Sequence, residues 1–272
     1  MPEPDAAAQA ADRDRADRDL LVDAAREAGR IARRHRLRGV EPVEKPDGQG
    51  PVTAADLEID AMLRARLLAA RPGYGWLSEE SADDPARLGA ARVFVIDPID
   101  GTRAFADGQG DYTHALAVVE RGVPVAAAIH QPERDRMWAA ARGAGATRDG
   151  APLAPTGRAG LDGATVLANR ASFDARHWRL GPPPVRRTFR SSLAYRMALV
   201  AEGRFDAMVT LRASWEWDIA AGALLCLEAG AAATDRDGRA LRFNNPHPQV
   251  GGALAATPAV HAALLDRLAR AG

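Results

Sequence analysis

The sequence predicts an α/β protein in two halves, an α+β half over residues 1–155 and an α/β half over residues 156–272. Three observations carry that reading. Residues 112–150 alternate short apolar runs with the turns ERG, PERD and RDG, the pattern of an antiparallel meander. APTGRAGLDG, residues 154–163, is dense in breakers and reads as a hinge between the halves. Beyond it, strand-like runs (164–168, 205–211, 249–257) take turns with helical ones (192–203, 218–230, 258–271), as in an α/β layer.

The elements follow in order. Residues 1–18 are polar with alternating charge and read as a frayed tail or a solvated helical extension. From Leu20 the apolar spacing turns helical, through Leu21, Ala24, Ala28, Ile31 and Ala32. KPDGQGPVTAAD, residues 45–56, is a loop that Gly48 and Gly50 make mobile, able to close over a bound substrate. Thr53 or Asp56 then opens a helix through Ala70, closed by RPG. Short strands follow around Tyr74–Leu77 and Val93–Ile96.

Composition removes several classes. A formal net charge of zero gives no electrostatic case for a nucleic acid polymer or an anionic membrane. The single cysteine, Cys226, excludes an intramolecular disulfide and a cysteine-rich zinc site, and its apolar surroundings read as core. No apolar stretch is long enough to span a bilayer, and no apolar leader region opens the chain, so the expectation is cytoplasmic. Of 36 Lys and Arg residues only Lys45 is lysine, a compact mobile charge among rigid forks, which favours a role at a site.

Acidic residues collect at strand ends and helix starts: Asp56, Glu79 and Glu80, Asp97 and Asp100, and Asp218. Asp56 or Asp218 alone would read as a helix cap. DPIDGT, residues 97–102, reads differently. Pro98 and Ile99 stiffen the bend so that both carboxylates can point one way. Gly101 permits close backbone approach, Thr102 supplies a hydroxyl, and the N–H groups of Gly101, Thr102 and Arg103 at a helix start offer an anion site. An oxygen-only set suits Mg²⁺, Mn²⁺ or Ca²⁺ and argues against zinc. The six histidines have no ligand spacing and read as surface or core residues. Cations beside an anion site point to phosphate ester chemistry. No P-loop is present, and GAG at 143–145 is a turn inside the meander.

Four blocks, GPVTAAD (50–56), LSEES (77–81), DPIDGTRAF (97–105) and WDIAAGALLCLEAG (217–230), resemble in sequence and order the inositol monophosphatase family of metal-dependent, lithium-sensitive phosphatases. The resemblance runs from about Lys45 onward. It implies a layered α-β-α-β-α sandwich with the site between two halves and two or three Mg²⁺ per site. Glu79, Asp97 and the carbonyl of Ile99 match the ligands of a first metal, and Asp97, Asp100 and Asp218 those of a second. A third, weaker Mg²⁺ would lie near Glu79. Thr102 and Asp56 match the pair that orients and deprotonates a metal-bound water, with Glu79 beside them. The amides of Gly101 and Thr102 match the phosphate cradle. Glu80 matches a second family glutamate, and a lysine often precedes the first block, where Lys45 stands.

The substrate is less defined. Inositol phosphatases carry a ring-binding glutamate seven residues before the aspartate of the fourth block, and here that position is Leu211. SSLAYRMALVAEGRFD looks closer to bacterial 3'(2'),5'-bisphosphate nucleotidases, with Arg196 at a basic position, Ser191 and Ser192 displaced from the serine pair, and Arg212 near a second basic position. Two arginines at the site would suit a second phosphate. The first choice is therefore a Mg²⁺-dependent phosphatase of adenosine 3',5'-bisphosphate. The alternatives are an inositol phosphatase, a histidinol phosphatase, or a catalytically silent regulatory protein on the same fold. The expected partner is a small phosphate ester, with a homodimer as an option.

Overall fold

The computed structural model describes residues 6–45 and 50–269. Helices α1 (Ala6–Arg38) and α2 (Ala54–Ala70) form an outer layer, with a two-stranded hairpin between them, β1 (Val43–Glu44) and β2 (Pro51–Val52). They cover a seven-stranded sheet: β3 (Gly75–Ser78), β4 (Arg92–Asp100), β5 (Thr113–Glu120), β6 (Val123–Gln131), β7 (Arg136–Ala141), β8 (Ala146–Arg148) and β9 (Ala151–Pro152). The strands lie in sequence order, β3 parallel to β4 and the rest antiparallel. A short helix, α3 (Thr102–Ala106), follows β4 directly.

Residues 153–164 lead to a second sheet, built from β10 (Thr165–Ala168), β11 (Arg186–Thr188), β12 (Ala207–Thr210), β14 (Ala232–Thr234) and β16 (Ala253–Ala256) in the order β11-β10-β12-β16-β14. β13 (Ser214–Trp215) and β15 (Gln249–Val250) pair separately. Helices α4 (Leu193–Ala201) and α5 (Glu216–Glu228) lie between the two sheets, and α6 (Pro258–Arg267) packs on the second sheet. The result is the five-layer α-β-α-β-α sandwich that the sequence blocks imply.

The burial pattern explains the layering. In β5, Ala115, Ala117 and Val119 face the α4–α5 core while Leu116 and Val118 face the α1–α2 core, so the strand is apolar on both sides. A sheet buried on both faces needs such continuous apolar runs. Small residues let α4 and α5 approach closely: a Cβ on Gly222 would stand 2.5 Å from Met197 Cβ. Cys226 is buried there, its thiol directed at the Met197 carbonyl. No helix among the described residues is long and apolar enough to cross a membrane.

Two local expectations are corrected and one alternative is decided. β4 runs to Asp100, beyond the anticipated end at Ile96. The single last strand over 249–257 is two, β15 and β16, interrupted at Gly251 and Gly252. Over its described part the N-terminal segment is the solvated helical extension and not a frayed tail: α1 starts at Ala6 and most of residues 6–18 are exposed, with Asp14 and Asp17 buried. Gly48 and the end of the anticipated last helix, 270 and 271, lie outside the described residues.

Charge pairing explains the buried aspartates. Arg92, 3% exposed at the start of β4, donates to Asp17 at 2.7 Å, to Asp14 at 2.7 Å and to Glu120 at 2.9 Å. Asp17 also accepts from Arg71 and the Tyr74 hydroxyl, and Arg142 bridges Asp14 and Glu120. Asp14 and Asp17 share one helix face because they are three residues apart. Removing the central cation breaks two buried pairs and leaves Asp14 and Asp17 only the partly exposed Arg142 and Arg71 as cationic partners; breaking a buried pair costs about 3–5 kcal/mol. Arg92→Ala should therefore lower stability by about that much, read as a shift of the urea midpoint at constant slope. An unchanged midpoint would show that the network does not hold α1 to the sheet.

Candidate metal centre and active site

Two elements carry three acids to one point. Asp97 and Asp100 stand on the last turn-like stretch of β4, and Asp218 on the first turn of α5. One carboxylate oxygen from each lies within 4.8 Å of the others. Asp97 is fully buried, and its Oδ1 has no hydrogen-bond partner among the described residues. Burial and then the charges of Glu79, Asp100 and Asp218 push the Asp97 carboxyl well above the usual range. Asp218 is raised in the same way, by burial and then by Asp100 and Glu79. Acids that raise one another by repulsion are held for a cation. The set offers oxygen only, which fits a hard divalent ion.

Asp100 is restrained from behind. The N-terminus of α4 donates to it: the Leu193 amide to Oδ1 at 3.2 Å, the Ala194 amide to Oδ2 at 2.6 Å and the Ser192 hydroxyl to Oδ2 at 2.7 Å. Burial raises Asp100 to about 6, with these bonds and Arg196 acting in the opposite direction. α5 is anchored just before Asp218. The buried Glu216 accepts from the Asn244 and Asn245 amides, and Trp215 and Trp217 stack with centroids 4.8 Å apart.

The second group is Asp56 with Thr102. Thr53 caps α2, and Asp56 completes the capping box by accepting from the Thr53 amide and hydroxyl through Oδ2. That leaves Oδ1 facing Thr102 Oγ1 at 3.1 Å, and the same hydroxyl lies 3.0 Å from the Ile99 carbonyl. Asp56 thus caps α2 with one carboxylate oxygen and meets Thr102 with the other. Burial pushes it up to about 6 against the bonds from Thr53 and Thr102. Gly101 makes the turn possible: its φ is +98°, and a Cβ there would meet the Asp111 carbonyl at 3.3 Å. The first amides of α3, from Thr102 onward, have no carbonyl within the helix to bond.

Glu79 lies outside the tight trio, but its charge raises Asp97, Asp218 and Asp56. Lys45, just before the undescribed loop residues, reaches Glu79 at 2.8 Å and Glu80 at 2.7 Å. Burial pulls the lysine down, yet the two glutamates outweigh it and raise its pKa. Burial and the neighbouring Glu79 raise Glu80 to about 7.

The residues named for substrate binding separate. Ser192 is fully buried beneath Asp100 and also bonded to Thr113, so it supports an acid and has no open face. Arg196 is buried too, donating to the carbonyls of Arg190 and Ser191 with Phe189 4.4 Å over its guanidinium. Arg212 is exposed and lines a cleft of about 260 Å³ with Asn169, Arg176, His177 and Leu211. Its charge reaches both Asp218 and Arg196. Sequence reasoning missed Thr113, the α4 amides and the Arg176–His177 side of this cleft. Only the serine before an apolar helical run signalled the first two, as an N-cap.

The chain is similar to known proteins. The family model described as "Inositol monophosphatase family" matches residues 15–271. The inositol-1-monophosphatase of Rhizobium meliloti is 33% identical over 202 residues, 69% of this chain and 73% of that one. The 3'-phosphoadenosine 5'-phosphate phosphatase of Mycobacterium bovis is 34% identical over 231 residues, 80% and 82% of the two chains. Among solved structures, an IMPase of Thermotoga maritima superposes with a TM-score of 0.79 at 25% identity, covering 91% of this chain and 94% of that one. With its acid trio, its Asp56–Thr102 pair and a family match over nearly its whole length, the chain belongs to the inositol monophosphatase family.

Proposed function

We propose that this protein is a Mg²⁺-dependent phosphomonoesterase using Asp97, Asp100, Asp218, Glu79 and the Ile99 carbonyl to hold the metal. The observation that carries the reading is the buried, unpartnered Asp97 oxygen inside the acid trio, next to the Asp56–Thr102 pair. Bound Mg²⁺ supplies charge that acidifies water and offsets the phosphoryl oxygens. The protein's own groups handle the rest. Thr102 Oγ1 accepts a proton from the attacking water and relays its own to Asp56 Oδ1, whose pKa of about 6 suits a base near neutrality. The amides of Gly101 and Thr102 face the phosphate. Two cations per site, with a third weaker one beside Glu79, fit this number of carboxylates.

For the substrate we favour adenosine 3',5'-bisphosphate over inositol phosphate. Leu211 is buried and apolar at the position that would bind ring hydroxyls, and its cleft carries Arg176 and Arg212, cationic groups suited to a second phosphate. Comparing kcat/KM for adenosine 3',5'-bisphosphate, inositol 1-phosphate and histidinol phosphate tests the choice. Preference for inositol 1-phosphate would reverse it.

Asp97→Asn should abolish Mg²⁺-dependent turnover, while the metal-free protein melts no lower than wild type because one repelling charge is gone. Circular dichroism and rate measured on the same sample decide it; a folded variant with near-normal rate refutes the ligand assignment. Li⁺ at millimolar concentration should inhibit, by replacing a weakly held cation, and a flat titration would count against that. Lys45→Arg should keep the fold but lower turnover or raise the Mg²⁺ requirement, since a wide planar head cannot sit between Glu79 and Glu80 as the ammonium does. If Lys45→Arg and Lys45→Ala both match wild type in rate and Mg²⁺ dependence, the lysine has no role in the site.

A further inference from the structure

The pairing of β4 with β5 lapses where the acids are. Asp97 pairs with Ala115 and Asp100 with Thr113, so Pro98 and Ile99 together oppose the single residue His114. Two residues against one is a bulge, and a bulge leaves ladder groups without partners. Pro98 has no N–H to give, and its carbonyl is one of the stranded groups. The His114 side chain fills that gap: its Nδ1 hydrogen-bonds the Pro98 carbonyl oxygen from the α1–α2 side of the sheet. The next carbonyl along the chain, that of Ile99, is the one that meets Thr102 Oγ1.

His114 is built for one job. It is fully buried between Tyr112 and His130, with ring centroids 6.2 Å and 6.0 Å away. A carbonyl only accepts, so Nδ1 must carry the proton, and the buried Nε2 accordingly has no partner among the described residues. Burial, and then His130, pull the ring down to about 3, consistent with a neutral donor. His130 is fixed in turn by the Ala25 carbonyl of α1. A chain of contacts thus runs from the outer helix to the peptide between the two acids.

We propose that His114 is a positioning residue for the phosphatase reaction: its Nδ1–H holds the bulged Pro98–Ile99 peptide so that Asp97, the Ile99 carbonyl and Asp100 all face the metal centre. This rests on the metal-dependent phosphatase reading above. Outer-shell partners of this kind change metal affinity by roughly 10–100-fold when removed.

The experiment compares His114→Asn, whose amide N–H can replace Nδ1–H, with His114→Leu, which fills the space without a donor. Mg²⁺ alone is titrated into the substrate-free full chain by calorimetry, and kcat and half-saturating Mg²⁺ are measured beside it. The leucine variant should bind Mg²⁺ at least tenfold more weakly, and the asparagine variant should stay within about threefold of wild type. Equal losses in both variants, or none in a folded leucine variant, would overturn the proposal. Should the leucine variant fail to fold, ¹⁵N NMR of the wild-type ring decides: the Nδ1-protonated tautomer is required, and the Nε2-protonated one overturns it. A wild-type protein that binds no Mg²⁺ would overturn the phosphatase reading as well, whereas normal wild-type binding with an indifferent leucine variant overturns this inference alone.

Discussion

Mutual repulsion among buried carboxylates is the constraint on which the rest of this structure depends. Asp97, Asp100 and Asp218 stand within reach of one another, with Glu79 close enough to be felt, and burial raises the free energy of every charge among them. Left to local forces the three would turn apart. They are kept together because each is held by a different set of contacts. Asp97 belongs to a strand packed on both faces, Asp100 is gripped by the amide end of α4, and Asp218 sits on a helix whose first turn is anchored through Glu216. The five layers act as a clamp on a cluster that would not form unaided.

That division of labour sets what could be read in the sequence. The acids, the Gly101 turn and the Thr102 hydroxyl lie in short contiguous blocks, so their chemistry was visible residue by residue. The meander was equally plain, because alternation and turn residues are local signals. The supports were not. Ser192 looked like a substrate contact, since nothing local reveals that α4 aims its N-terminus at Asp100. Asp14 and Asp17 looked solvated because charges of both signs balance along the first eighteen residues. Their partners, Arg92 and Arg142, arrive from strands more than seventy residues away. The bulge at Pro98 escaped notice for the same reason: it is a property of pairing with β5, which one strand's sequence does not contain.

The same separation bears on specificity. The acid cluster and the Asp56–Thr102 pair come mostly from the first sheet and its helices, whereas the cleft with Asn169, Arg176, His177 and Arg212 is built by loops of the second half. On the proposed reading, the reaction and the choice of ester therefore occupy different parts of the chain. Loops on the second sheet can change in charge and shape without disturbing the buried acids, which suits a family whose relatives carry different substrate names.

Lys45 gives the protein an unusual chemical property. It is the only lysine in the sequence, and its amine is held between Glu79 and Glu80 at the edge of the acid cluster. An amine-directed reagent therefore has one side-chain target in the whole molecule, and a lysine-specific protease one place to cut. Both need the ammonium released from its two carboxylates, and deprotonation for the reagent is made harder by the raised pKa. Labelling rate at Lys45 becomes a single-residue gauge of how often the hairpin between α1 and α2 lets go of the site, readable without any substrate.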